Sequence, residues 1–163
     1  MYSDDSALKQ LSRDECLRLM ASVPVGRIIY TRQALPAVEL VNFALDNGDI
    51  IIRTDHGGKL AAATRGAVVA FEADSLDTDR HAGWSVTAIG HSHEVSDPDE
   101  IGRLERTGLS SWAPGGRDHF IRISPGILNG RRLSAPAQNT VPNPCRSGSA
   151  HGDVWPRGTT GSC

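Results

Sequence analysis

The sequence predicts a mainly β protein, a small β-barrel with peripheral helices, and three observations carry that expectation. Six or seven apolar, β-branched runs are separated by turn-rich connections. Only three short segments show helical spacing. The regular strand–helix alternation of a doubly wound sheet is missing, as are GxGxxG and the Walker phosphate loop.

Residues 1–11 read as a loose arm. Ser12-Arg13-Asp14-Glu15 then forms a capping box, with serine and glutamate each able to bond the other's amide. Cys16, Leu17, Leu19, Met20 and Val23 continue at helical spacing until Pro24 closes the helix near Ser22. Gly26 to Thr31 is the first strand, Ala37 to Leu45 the second and Asp49 to Thr54 the third. The last two are joined by Asn47-Gly48, the pair that a type I′ hairpin turn requires. Lys59 to Thr64 is a short alanine-rich helix ended by Gly66, and Ala67 to Ala73 a fourth strand. Residues 74–82 read as a polar loop. Trp84 to Val95 is a long strand with Gly90 at its middle, which marks a bulge or barrel bend. Ser96-Asp97-Pro98-Asp99-Glu100 starts a helix that runs to about Arg106. A loop with Trp112 leads to two short strands, His119 to Ile123 and Gly130 to Leu133. From Ser134 apolar periodicity vanishes, so a folded domain over 12–133 is followed by a disordered low-complexity tail over 134–163.

Composition excludes several function classes. A formal charge of −2 over 163 residues is too near neutral for a nucleic-acid binder. No apolar run approaches the roughly 20 residues needed to span a bilayer, and the acidic N-terminus lacks the features of a signal peptide. The three cysteines, at 16, 145 and 163, form no CxxC pair and read as structural thiols in a reducing cytoplasm. No Ser-His-Asp or Cys-His nucleophile motif emerges.

One stretch points to chemistry. Arg53 and Thr54 end the third strand, and Lys59 follows Gly57-Gly58 at a helix start. Two cations and a hydroxyl around a strand end and a helix N-terminus suit a phosphate. A lysine is mildly disfavoured at that dipole end unless an anion is near. Asn42, between apolar strand residues, requires a hydrogen-bond partner, either a cofactor or a neighbouring loop. Trp84 and Trp112 suit core packing, an interface or ring stacking. His91 and His93 share a strand face without a third ligand, which favours exposed polar positions over a metal or haem site. His56 reads as a solvent-facing turn residue.

The order of these elements resembles the pyridoxamine 5′-phosphate oxidase-like superfamily of flavin-binding split β-barrels. It is most similar to the short actinobacterial branch related to nitroimidazole-resistance proteins. The residues carrying the resemblance are Cys16-Leu17 through Val25-Gly26-Arg27, Val41-Asn42-Phe43, Ile52-Arg53-Thr54, Gly58-Lys59-Leu60, Val69-Ala70-Phe71-Glu72, Gly83-Trp84-Ser85-Val86 through Gly90, and Trp112-Ala113-Pro114-Gly115. The resemblance implies a homodimer with FMN in clefts between barrels. It implies Arg53, Thr54 and Lys59 around the phosphate, Asn42 and Phe43 along the ring edge, and Trp84, Ser85 and Trp112 as further cofactor neighbours. It also implies an oxidoreductase acting on a small-molecule substrate, an electron-poor acceptor. The alternatives are a deazaflavin-dependent reductase or a non-catalytic, stress-related flavin- or haem-binding module, with His91 or His93 as the haem ligand. The substrate-holding basic and histidine residues of true pyridoxamine phosphate oxidases are not recognisable, so vitamin B6 oxidation is not the expected activity.

Overall fold

The computed structural model describes residues 8–54, 59–109 and 119–134. Along them run β1 (Leu8–Leu11), α1 (Arg13–Met20), β2 (Val25–Arg32), β3 (Leu35–Asp46), β4 (Asp49–Thr54), α2 (Lys59–Thr64), β5 (Val68–Asp77), β6 (Ala82–Val95), α3 (Pro98–Glu105) and β7 (His119–Leu133). The strands form one antiparallel sheet in the order β1-β7-β4-β3-β2-β5-β6, and a further β6–β7 ladder closes it into a ring. The expected β-barrel with peripheral helices is the observed architecture.

Local signals set the boundaries. The Ser12–Glu15 capping box starts α1, and Asp97 caps α3 with Pro98 in the first turn. Asn47 and Gly48 both take positive φ, 53° and 89°, in the β3–β4 turn. At Gly90 the β6–β7 register shifts, and a Cβ there would stand 2.0 Å from the Ser124 carbonyl oxygen. The bulge thus exists because glycine lets two backbones meet.

Three stretches differ from the sequence expectation. Leu8–Leu11, assigned to a loose arm, pairs with Gly130–Leu133 as β1. Only Leu11 of the four is buried, so a distant ladder rather than local pattern makes the strand. The two short strands expected at the C-terminal side are one, β7, which runs through Pro125 opposite the Gly90 bulge, where a missing amide is tolerated. Residues 74–77 of the expected loop extend β5, paired as far as Asp77 with Ala82. The expected arm over residues 1–7 and tail from 135 onward lie outside the described residues.

Two cores result. The barrel interior holds Ile28, Phe43, Ile52, Phe71, Val86 and Ile121, with Phe43 and Phe71 edge to face at 4.8 Å. A second, smaller core lies between the barrel and α3, built from Ile51, Val95, Leu104, Leu109 and Phe120. β4 is therefore buried on both sides.

The second core is laced by ions. Arg122 of β7 donates to Asp46 (2.8 Å), Asp49 (2.9 Å) and Glu100 (3.1 Å from Nε), and Arg103 of α3 grips Asp46 in a fork of 2.9 and 3.0 Å. Bonds from Arg103 and then Arg122 hold the Asp46 carboxyl down to about 2. Burial alone would lower the Arg122 pKa, but bonds to Asp46, Asp49 and Glu100 leave it raised.

Two outcomes are expected. Gly90→Ala forces backbone apart at the bulge and costs about 1–3 kcal/mol, read as a fall in the denaturation midpoint; an unchanged midpoint would show that the bulge yields freely. Asp46→Asn costs roughly 2 kcal/mol at pH 7. Because the folded-state pKa is depressed, that contribution is present above the ordinary value of 3.8 and drains as pH falls toward 2. The wild type and variant should converge in urea titrations across that window, and a pH-independent gap would contradict the assignment.

Candidate functional site

Strand alternation decides which expected residues meet. On β4, Ile50, Ile52 and Thr54 turn into the barrel, whereas Ile51 and Arg53 turn outward beneath α3. Arg53 donates from its guanidinium to the Leu109 carbonyl (3.2 Å) and lies over the Phe120 ring, 5.5 Å from its centre. Thr54 is only 5% exposed and pairs with His119 across the ladder. The side chains of Arg53 and Thr54 thus leave on opposite faces.

The same rule separates the other neighbours. Phe43 enters the barrel core and Asn42 faces out, its amide 3.4 Å from the Pro24 carbonyl. The Phe43 backbone amide also donates to that carbonyl, at 3.2 Å. Trp84 packs on the barrel core and Ser85 faces out beside Arg131. Asn42, one ladder step beyond the Phe43–Ile52 pair, stands next to Arg53. From Asn42 one outer row runs through Val25 and Asp74 to Ser85, with the β2–β5 ladder extended by two residues. The structure therefore gathers Asn42, Arg53 and Ser85 on one outer row, Ser85 roughly 14 Å from Asn42 at three strand spacings. It places Phe43, Thr54 and Trp84 inside. Lys59 opens α2, while the turn with His56 and Gly57-Gly58, and Trp112 likewise, lie outside the described residues.

A second polar group at the barrel end had no sequence signal. His119 Nδ1 meets Glu94 Oε1 at 2.7 Å, and Arg65 donates to the other carboxylate oxygen at 2.8 Å. The bonds from His119 first, then Arg65, lower the Glu94 pKa. His91 and His93 are exposed on one face of β6, and the described residues contain no cluster of three or more potential metal ligands. No helix among them is long and apolar enough to cross a membrane.

The outer face also carries an apolar band. Val38, Ile29, Ala70, Ile89 and Ile127 are successive cross-strand partners over β3, β2, β5, β6 and β7. Val38 and Ile127 are 60% and 52% exposed, and the exposed Leu40 and Val68 flank them. Apolar side chains thus follow one another across five strands of the outer face, most exposed at Val38 and Ile127.

Comparison with known proteins gives this architecture a family. A Mycobacterium tuberculosis protein described as uncharacterized is 44% identical over 131 residues, covering 77% of this chain and 86% of its own. The solved FAD-binding protein of Mycobacterium smegmatis is 32% identical with a TM-score of 0.66, over 77% of this chain and 98% of that one. A Corynebacterium glutamicum structure that carries the oxidase family's name is 31% identical with a TM-score of 0.72, over 82% and 98% of the two chains. The pyridoxamine 5′-phosphate oxidase family profile matches residues 12–132, and the chain belongs to that family.

Proposed function

We propose that this protein is a homodimeric flavin-binding split barrel, a small oxidoreductase that holds FMN, or the FMN moiety of FAD, on its outer face. The observation that carries the proposal is the single outer row uniting Arg53, Asn42 and Ser85 in a chain 32% identical to an FAD-binding protein. Arg53 and Lys59 supply positive charge for the phosphate, and Asn42 and Ser85 supply hydrogen-bonding groups for the ring or ribityl chain. Phe43, Thr54 and Trp84 support the site from within, with Thr54 ending the strand that presents Arg53. When bound, a flavin would supply two-electron redox chemistry between a reduced nicotinamide donor and an electron-poor acceptor. The name of the Mycobacterium smegmatis relative favours FAD as the second reading beside FMN.

The position of these groups supports the dimer. A flat ring lying on a convex barrel leaves one face in water, and the neighbouring apolar band supplies the surface against which a second copy closes. Deazaflavin and haem are the rival ligands for that cleft, haem with His91 at the margin of the band beside Val68.

Absorbance and fluorescence titration with FMN, FAD, deazaflavin and haem in parallel tests the cofactor. Saturable flavin binding is expected, weakened by roughly 2–4 kcal/mol in an Arg53→Ala/Lys59→Ala double variant through loss of two charge-assisted contacts. Undiminished affinity in that variant removes the phosphate assignment. Failure of the loaded protein to oxidise NADH or NADPH with any nitroaromatic or quinone acceptor would leave a flavin binder that is not such a reductase. For the dimer, Val38→Asp with Ile127→Asp is expected to give a folded monomer by light scattering, with flavin affinity lost as well. A variant that remains dimeric places the interface elsewhere.

A further inference from the structure

The phosphate reading leaves open why Arg53 lies where it does. An arginine side chain loses up to roughly 2 kcal/mol of rotamer freedom when fixed, so a pre-aimed guanidinium binds an anion more tightly than a mobile one. Among its contacts, the Phe120 ring beneath it and the Leu109 carbonyl that accepts its bond aim this one.

Leu109 is placed by the end of α3. The helix closes through Thr107, whose amide donates to Leu104 at 3.1 Å, and Gly108 takes φ +73°. That turn drops Leu109 into the second core beside Leu104 and Ile51. The position of α3 is fixed in turn by Glu100 on Arg122 and by Arg103 on Asp46. Both are rotated to the barrel side of the helix, three residues apart.

We propose that α3 is the positioning element for phosphate recognition: Glu100 and Arg103 lock the helix to the barrel so that its closing turn holds Arg53 ready. They act through Leu109 and Arg53, without touching the ligand. This rests on the assignment of Arg53 to the cofactor phosphate, and the experiment separates the two.

Dissociation constants are measured for FMN and for riboflavin, which has the same ring and no phosphate. Their ratio isolates recognition of the phosphate from packing of the ring. In Glu100→Gln/Arg103→Gln the preference for FMN is expected to fall about tenfold, the scale of one weakened charge-assisted contact, while riboflavin binding holds. Arg103→Lys in the Glu100 background should restore most of it. Gly108→Ala perturbs the same turn without disturbing the ion pairs, and should lower the preference even where the double variant folds poorly. If Arg53→Ala abolishes the preference and the α3 variants keep it, the positioning role is wrong and the phosphate site stands. If FMN and riboflavin weaken equally in the α3 variants, α3 serves stability alone and the proposal fails. If Arg53→Ala itself leaves the preference intact, the phosphate assignment falls, and the proposal with it.

Discussion

Arg122 is the interaction on which the outer half of the molecule depends. Its side chain is 11% exposed, and it meets three carboxylates from two elements, the β3–β4 hairpin and α3. Taking a guanidinium out of water costs several kcal/mol unless its donors are satisfied, and removing one partner leaves charge behind. The apolar residues beneath, Ile51, Leu104 and Phe120, could slide over one another at little cost. The ion network allows one arrangement. It fixes the hairpin, the helix and β7 against each other, and so determines where Leu109 and Arg53 come to rest.

The barrel half is ordered by a different constraint, its stagger. A row of partners that begins at Val95 on β6 crosses Phe120, Arg53, Asn42, Val25 and Asp74 and returns to β6 at Ser85, ten residues away. Closure at such a stagger sets the strand tilt. It brings Ser85 onto the row of Arg53, although it shares a strand with Val95 at the far end. The Gly90 bulge lies between those positions, where β6 bends to follow the ring.

Much of this was legible because it is local. The Asn47-Gly48 turn, the Ser12–Glu15 box, the Asp97 cap and the Gly90 bulge each follow from residues a few positions apart, and all occur in the structure. What was not legible depends on distant partners. β1 is a strand because Gly130–Leu133 stands beside it, and Pro125 continues a strand because a bulge faces it. Arg122 and Asp46 are 76 residues apart, and His119 and Glu94 25, with no motif to link them. For the candidate site, the sequence marked a strand end rich in donors. The alternation of Asn42 with Phe43 and of Arg53 with Thr54 was equally present there, but which face is outward depends on the closed sheet.

Under the proposed function, that outward placement would tie the cofactor and the assembly together. The barrel interior is filled by Ile28, Phe43, Phe71 and their neighbours, which leaves it to the outer surface to receive a ring system. On a convex surface one chain can hold a phosphate and an edge of a ring, but it cannot cover the ring's second face. A flavin held there without a cover would keep much of its apolar surface in water and give up the dry environment that tunes its electronics. The apolar band over Val38, Ile29, Ala70, Ile89 and Ile127 belongs to the same outer face as Arg53, Asn42 and Ser85. In the proposed dimer, association of two such bands would enclose what either leaves exposed, so the flavin and the second copy would stabilise each other by mass action. A monomer of this chain is therefore expected to bind flavin poorly even with every named residue in place.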